Sequence, residues 1–104
     1  MSPLTGLYLD SSSGGHFATA LKASGHDMLV VEGAAETPTA LHIHDDQVRF
    51  LDASDLWGRT VRETEMELSR RIGGRNVRVA SIGPAGEKMV RFACVANDLS
   101  LIHI

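Results

Sequence analysis

Two adjacent-glycine pairs, Gly14-Gly15 and Gly73-Gly74, limit more than any other feature what this chain can build. Glycine reaches backbone conformations that side chains forbid and loses the most freedom when fixed, so each pair interrupts regular structure. The first pair closes Asp10-Ser11-Ser12-Ser13-Gly14-Gly15, a run of turn-formers. His16 to Ala23 then reads as a short helix with Phe17, Ala20 and Leu21 on one side, ended at Gly25. The second pair stops the clearest helix. Thr60 stands three residues before Glu63, the spacing of a capping box. Val61, Leu68 and Ile72 share one face of that helix, and Glu67 reaches Arg71 one turn later.

The rest reads as strands and turns. Leu4 to Leu9 is a short extended piece, and Met28-Leu29-Val30-Val31 is a continuous apolar run that suits a buried strand. Leu41 to His44 and Val48 to Phe50 alternate apolar and polar residues around Asp45-Asp46, which predicts a hairpin with Leu41, Ile43, Val48 and Phe50 inward. Val77 to Ile82 and Met89 to Ala96 read as two further strands, joined by a loop over Gly83 to Glu87. The expected class is α+β, a mixed β-sheet piece with two short helices and short connections. With 104 residues and no repeat or linker, the chain amounts to one domain at most.

Composition excludes several functions. A net charge of -3 gives no electrostatic case for nucleic acid, and acidic residues surround the nearest basic cluster, Arg70, Arg71 and Arg75. No apolar run has membrane-spanning length, and the start lacks the basic and apolar regions of a secretory signal. A single cysteine, Cys94, forms no internal disulfide, which fits a reducing, cytoplasmic setting. Lying within an apolar strand, Cys94 reads as an inert buried thiol.

The serine-glycine run is the first candidate for chemistry. Two glycines before a helix let backbone amides approach an anion, and the helix start adds partial positive charge. A flexible loop or a simple cap has the same composition. His42, His44 and Asp46 could face a metal from one side of the hairpin, although the same residues suit its wet face. His16 follows the double glycine and reads either as a ligand contact or as a solvated loop histidine. Glu63, Glu65 and Glu67 read as a solvated helix face. No Gly-x-Ser-x-Gly elbow, phosphate-loop lysine motif or Cys-x-x-Cys pair occurs.

Eight segments in order resemble the tungsten-containing aldehyde ferredoxin oxidoreductase family. They are Ser2-Pro-Leu-Thr-Gly-Leu-Tyr8, Ser13-Gly-Gly-His-Phe17, Leu21-Lys-Ala-Ser-Gly-His-Asp27, Val30-Val-Glu-Gly33, Asp52-Ala-Ser-Asp-Leu-Trp-Gly58, Arg62-Glu-Thr-Glu65, Ala80-Ser-Ile-Gly-Pro-Ala-Gly-Glu87 and Val90-Arg-Phe-Ala-Cys-Val-Ala-Asn-Asp98. The resemblance implies a fragment, over residues 1–98, of the β-rich amino-terminal domain that cradles the cofactor of an oxidoreductase. That cofactor is tungsten (or molybdenum) held by two pyranopterins, in the molybdopterin manner, with magnesium bridging their phosphates. The parent would oxidise an aldehyde to a carboxylic acid and pass electrons through an iron-sulfur (4Fe-4S) cluster to ferredoxin.

By resemblance, Ser12, Ser13, Gly14 and Gly15 contact the cofactor, and the backbone carbonyl of Ser12 ligates the magnesium. The cluster ligands lie in domains outside this chain, so no catalytic residue is expected here. The implied partners are ferredoxin, an aldehyde and the remaining domains of the same polypeptide, with a homo-oligomeric parent compatible with the family. The family's His-Arg-Ala-Ala-Gly-Arg continuation after Asp98 is replaced by Leu99-Ser-Leu-Ile-His-Ile104, expected to be an artefactual tail. The contrasting expectation is a free-standing, non-catalytic α+β interaction or scaffold module.

Overall fold

A computed structural model describes residues 1–74 and 76–98. The order is helix α1 (Phe17–Ala23), strands β1 (Thr39–His44) and β2 (Gln47–Asp52), a 3-10 turn (Ser54–Leu56), helix α2 (Val61–Ile72), strand β3 (Ala80–Ser81), a one-turn helix α3 (Pro84–Glu87) and strand β4 (Ala96–Asn97). Strands β1 and β2 form one antiparallel pair and β3 and β4 another. The class is α+β, as expected. The six-residue tail and Arg75 lie outside the described residues.

Local chemistry explains the elements that match expectation. At the start of α2 the capping box is complete: the Glu63 amide donates to the Thr60 hydroxyl at 3.3 Å, and the Glu63 carboxylate accepts the Thr60 amide at 2.9 Å. These bonds satisfy amides that have no partner inside the helix. Gly73, with φ 74°, ends α2 in the left-handed conformation that favours glycine. Glu67 accepts from both Arg70 and Arg71, and Arg71 also reaches Asp55 on the 3-10 turn. Phe17, Ala20 and Leu21 form the half-buried side of α1. The hairpin pairs Leu41 with Phe50, His42 with Arg49 and Ile43 with Val48, turning at Asp45-Asp46.

Other expectations are corrected. Leu4 to Leu9 is a compact turn, with the Gly6 amide on the Ser2 carbonyl and the Ser2 amide on the Leu7 carbonyl. Met28 to Val31 forms no strand and stays exposed, Met28 by 77%. It has no partner strand among the described residues, and an apolar run without a ladder has no reason to extend. The two later strands shrink to Ala80–Ser81 and Ala96–Asn97. The residues between them coil because the expected loop holds α3, whose Pro84 suits a helix start, and Met89 follows in the left-handed region at φ 52°. Cys94 is exposed, since the strand meant to bury it does not form there.

Burial is sparse. Leu56 and Ala96 are the buried apolar residues of the described chain. Three of the four hairpin residues expected inward are exposed, Leu41, Val48 and Phe50, the last by 76%, while Ile43 is half-buried. Ala40, His42, Arg49 and Leu51, together with Leu41 and Ile43, line a wide cleft shared with α1, α2 and β3. Glu65, expected in solvent, is 5% exposed on the side of α2 next to Val79 and Asp98.

Candidate functional site

Ser11 to Gly15 is exposed and held from behind by one end of β4. Asn97, buried and paired with Ala80 in the β3–β4 ladder, donates from Nδ2 to the Ser13 hydroxyl at 2.6 Å. Next to it the Asp98 carboxylate accepts the His16 amide at 2.9 Å, while the Asp98 amide donates to the Val79 carbonyl. Asp98 has φ 50°, a left-handed conformation that aspartate tolerates better than most residues.

Gly15 is where this docking requires glycine. Its φ is 102°, and a Cβ there would lie 2.4 Å from Asn97 Oδ1. Gly14 differs, because a Cβ there would meet nothing within 4 Å. The loop is thus tight behind Gly15 and open over Gly14. His16 caps α1 through its backbone, and its amide is engaged by the Asp98 carboxylate. The helix start therefore already faces one negative group, the Asp98 carboxylate.

The groups of this loop and its support are hydroxyls, carbonyls, the Asn97 amide and the carboxylates of Asp10 and Asp98. Such hard oxygen donors match a magnesium-type cation and its phosphates, and would not hold a soft metal directly. Among the described residues no three His, Cys, Asp or Glu side chains converge on a possible metal position. The His42 and His44 rings stand 6.2 Å apart, and His44 lies near Asp45, the neighbour of the Asp46 suggested by the sequence. Perturbed carboxylates lie away from the loop. Arg70 and Arg71 push Glu67 down to about 2, the Arg71 guanidinium lowers Asp55, and the Ser54 hydroxyl lowers Asp52.

The sequence pointed to Ser12 through Gly15 but gave no role to Asn97 or Asp98. These lie 82 to 84 positions from their partners, and no local pattern relates them. A polar pair ending an apolar stretch was the one available signal.

The family described as "Aldehyde ferredoxin oxidoreductase, N-terminal domain" matches residues 1–103. The chain belongs to that family. Among its relatives, a tungsten-containing aldehyde ferredoxin oxidoreductase of Pyrococcus abyssi is 50% identical over 97 residues, and one of Pyrococcus furiosus is 47% identical over 97. Each alignment covers 93% of this chain and 16% of the relative. A further relative, the WOR-like subunit of an aliphatic sulfonate oxidoreductase of Pyrococcus furiosus, is 32% identical over 91 residues, covering 76% of this chain and 15% of that subunit. This chain of the aldehyde ferredoxin oxidoreductase family thus spans about a sixth of its relatives' length. Among the described residues no helix is long and apolar enough to cross a membrane.

Proposed function

We propose that this chain is the part of a tungsten enzyme's amino-terminal domain that lies against the pterin phosphates, the enzyme oxidising aldehydes and reducing ferredoxin. The observation that carries the reading is the loop's asymmetry: Ser13 to His16 is pinned from behind by Asn97 and Asp98, while Gly14 faces open space. A bulky, charged cofactor is best met by such a surface, because backbone without a side chain permits close approach and a pinned loop needs no reordering on binding. In this reading the Ser12 carbonyl ligates the magnesium that bridges the phosphates, and the Ser13 and Gly14 backbone lies against the pterin.

When bound, the tungsten supplies the two-electron chemistry, and an iron-sulfur cluster outside this chain carries the electrons onward. This chain orients the cofactor and contributes no proton donor or nucleophile. Its substrate, its ferredoxin and the remaining domains of the polypeptide act elsewhere. The relatives' names support limiting this chain's role in this way, since one of them names a sulfonate and others an aldehyde. The scattered exposed apolar residues weigh against a free-standing scaffold module, whose own core would cover them.

The test is Gly14→Val in the whole polypeptide that carries this domain, purified from tungstate-grown cells, with bound tungsten measured per chain alongside the melting temperature. A sharp loss of tungsten with an unchanged melt is expected. Full tungsten content in the variant would refute contact at Gly14.

A further inference from the structure

We infer that Asn97 and Asp98 are the positioning residues of the Ser12–Gly15 loop, fixing its shape before any ligand arrives. The inference rests on reading that loop as the cofactor contact. The two side chains address opposite ends of the bend. Asn97 reaches the Ser13 hydroxyl at 2.6 Å, and Asp98 takes the His16 amide at 2.9 Å. Between these bonds, Gly15 passes so near Asn97 Oδ1 that a Cβ there would stand 2.4 Å away. The clamp is itself anchored: Asn97 is buried in the β3–β4 ladder, and the Asp98 amide bonds Val79. Beyond the clamp, the Ser13 hydroxyl donates onward to the Gly14 carbonyl at 3.5 Å, while Ser12 is exposed and a Cβ on Gly14 would meet nothing within 4 Å. The strand end thus decides where the loop presents its backbone, without touching what binds there.

The first measurement is residue-resolved amide hydrogen exchange by mass spectrometry on the full 104-residue chain and its variants, run below the concentration at which copies associate. Asp98→Ala should speed exchange at His16 by about tenfold or more, the factor a hydrogen bond to a charged acceptor carries. Exchange at Leu68 and Ser69 in α2 should not change, which reports an intact fold. Asp98→Asn should restore most of the protection, because its side-chain carbonyl still accepts. Ser13→Ala, which removes the hydroxyl that Asn97 holds, should speed exchange at His16 as much as Asn97→Ala does, and the double variant no further. Unchanged His16 exchange in Asp98→Ala, or additive loosening in the double variant, overturns the inference.

Tungsten content of the whole polypeptide that carries this domain, purified from tungstate-grown cells, is scored separately. Wild-type protein without tungsten sinks the cofactor reading, while the exchange rates still decide the clamp. If wild type carries tungsten and Asp98→Ala carries as much despite a loosened His16, the positioning role is refuted. Loss in Asp98→Ala and recovery in Asp98→Asn supports it.

Discussion

The Glu87 carboxylate straddles the backbone amide of Gly58, its two oxygens 2.9 and 3.0 Å from that nitrogen. This joins the end of α3 to the segment leaving the 3-10 turn, two stretches 29 positions apart. Few other bonds hold α3 to the rest of the described chain, so the pair should matter more than most exposed contacts. Glu87→Ala is expected to lower stability by about 1 kcal/mol, and Glu87→Gln by less because one oxygen remains. Urea midpoints for the three proteins check this, and equal losses from both variants would contradict it.

The capping box at the start of α2 is the second local anchor. Thr60→Ala removes the hydroxyl that accepts the Glu63 amide and should cost about 1 kcal/mol. Thr60→Ser keeps the oxygen and should cost little. Helix content by far-UV circular dichroism, followed through a urea titration, distinguishes the two.

Acid should loosen α2 in a defined direction. Arg70 and Arg71 hold the Glu67 carboxyl at about 2, below its ordinary 4.5, and the Thr60 amide and hydroxyl lower Glu63. A carboxyl whose folded pKa is depressed adds stability that is complete above its unfolded pKa and is lost as pH falls through the folded one. The Glu67 contribution should therefore be whole above about pH 4.5 and fade as pH drops toward 2. Glu67→Gln should show lower stability at neutral pH and a flatter fall across that window. Stability curves that stay parallel down to pH 2 would count against the ion pairs.

Where residues act on near neighbours, the sequence was legible. The capping box, the Gly73 stop, the Glu67–Arg71 pair and the hairpin turn at Asp45-Asp46 each depend on spacings of four residues or fewer. The misreadings share a different cause. Met28 to Val31 reads as a buried strand and Met89 to Ala96 as a strand from apolar character alone, but burial needs a partner surface and a strand needs a ladder. Period-two alternation found the register of Leu41 to Phe50, yet said nothing about which face meets other structure. Asn97 and Asp98 were illegible because their partners lie across most of the chain.

The two loop glycines should respond oppositely to a methyl group. Gly15→Ala places a Cβ at positive φ and against Asn97 Oδ1, and should destabilise by about 1–2 kcal/mol. Gly14→Ala meets nothing within 4 Å and should leave the melting temperature of the isolated chain almost unchanged. Thermal melts of both variants decide this, and equal destabilisation would mean that the loop does not rest on Asn97.

Leu41, Val48 and Phe50 are exposed on the hairpin, and Met28, Val30 and Val31 are also exposed. Two-stranded pairs leave unpaired backbone along their edges, and apolar faces beside such edges favour contact between copies. The isolated 104-residue chain should therefore self-associate at micromolar concentration. Phe50→Lys adds a charge at the most exposed aromatic of the hairpin and should shift the chain toward monomer without disturbing α2. Sedimentation velocity measures the association, and circular dichroism confirms that α2 is retained. A wild-type chain that sediments as a monomer with a sharp cooperative melt would mean that these faces need no cover. A variant that associates as strongly as wild type would move the contact away from the hairpin, with Met28 to Val31 the next segment to test.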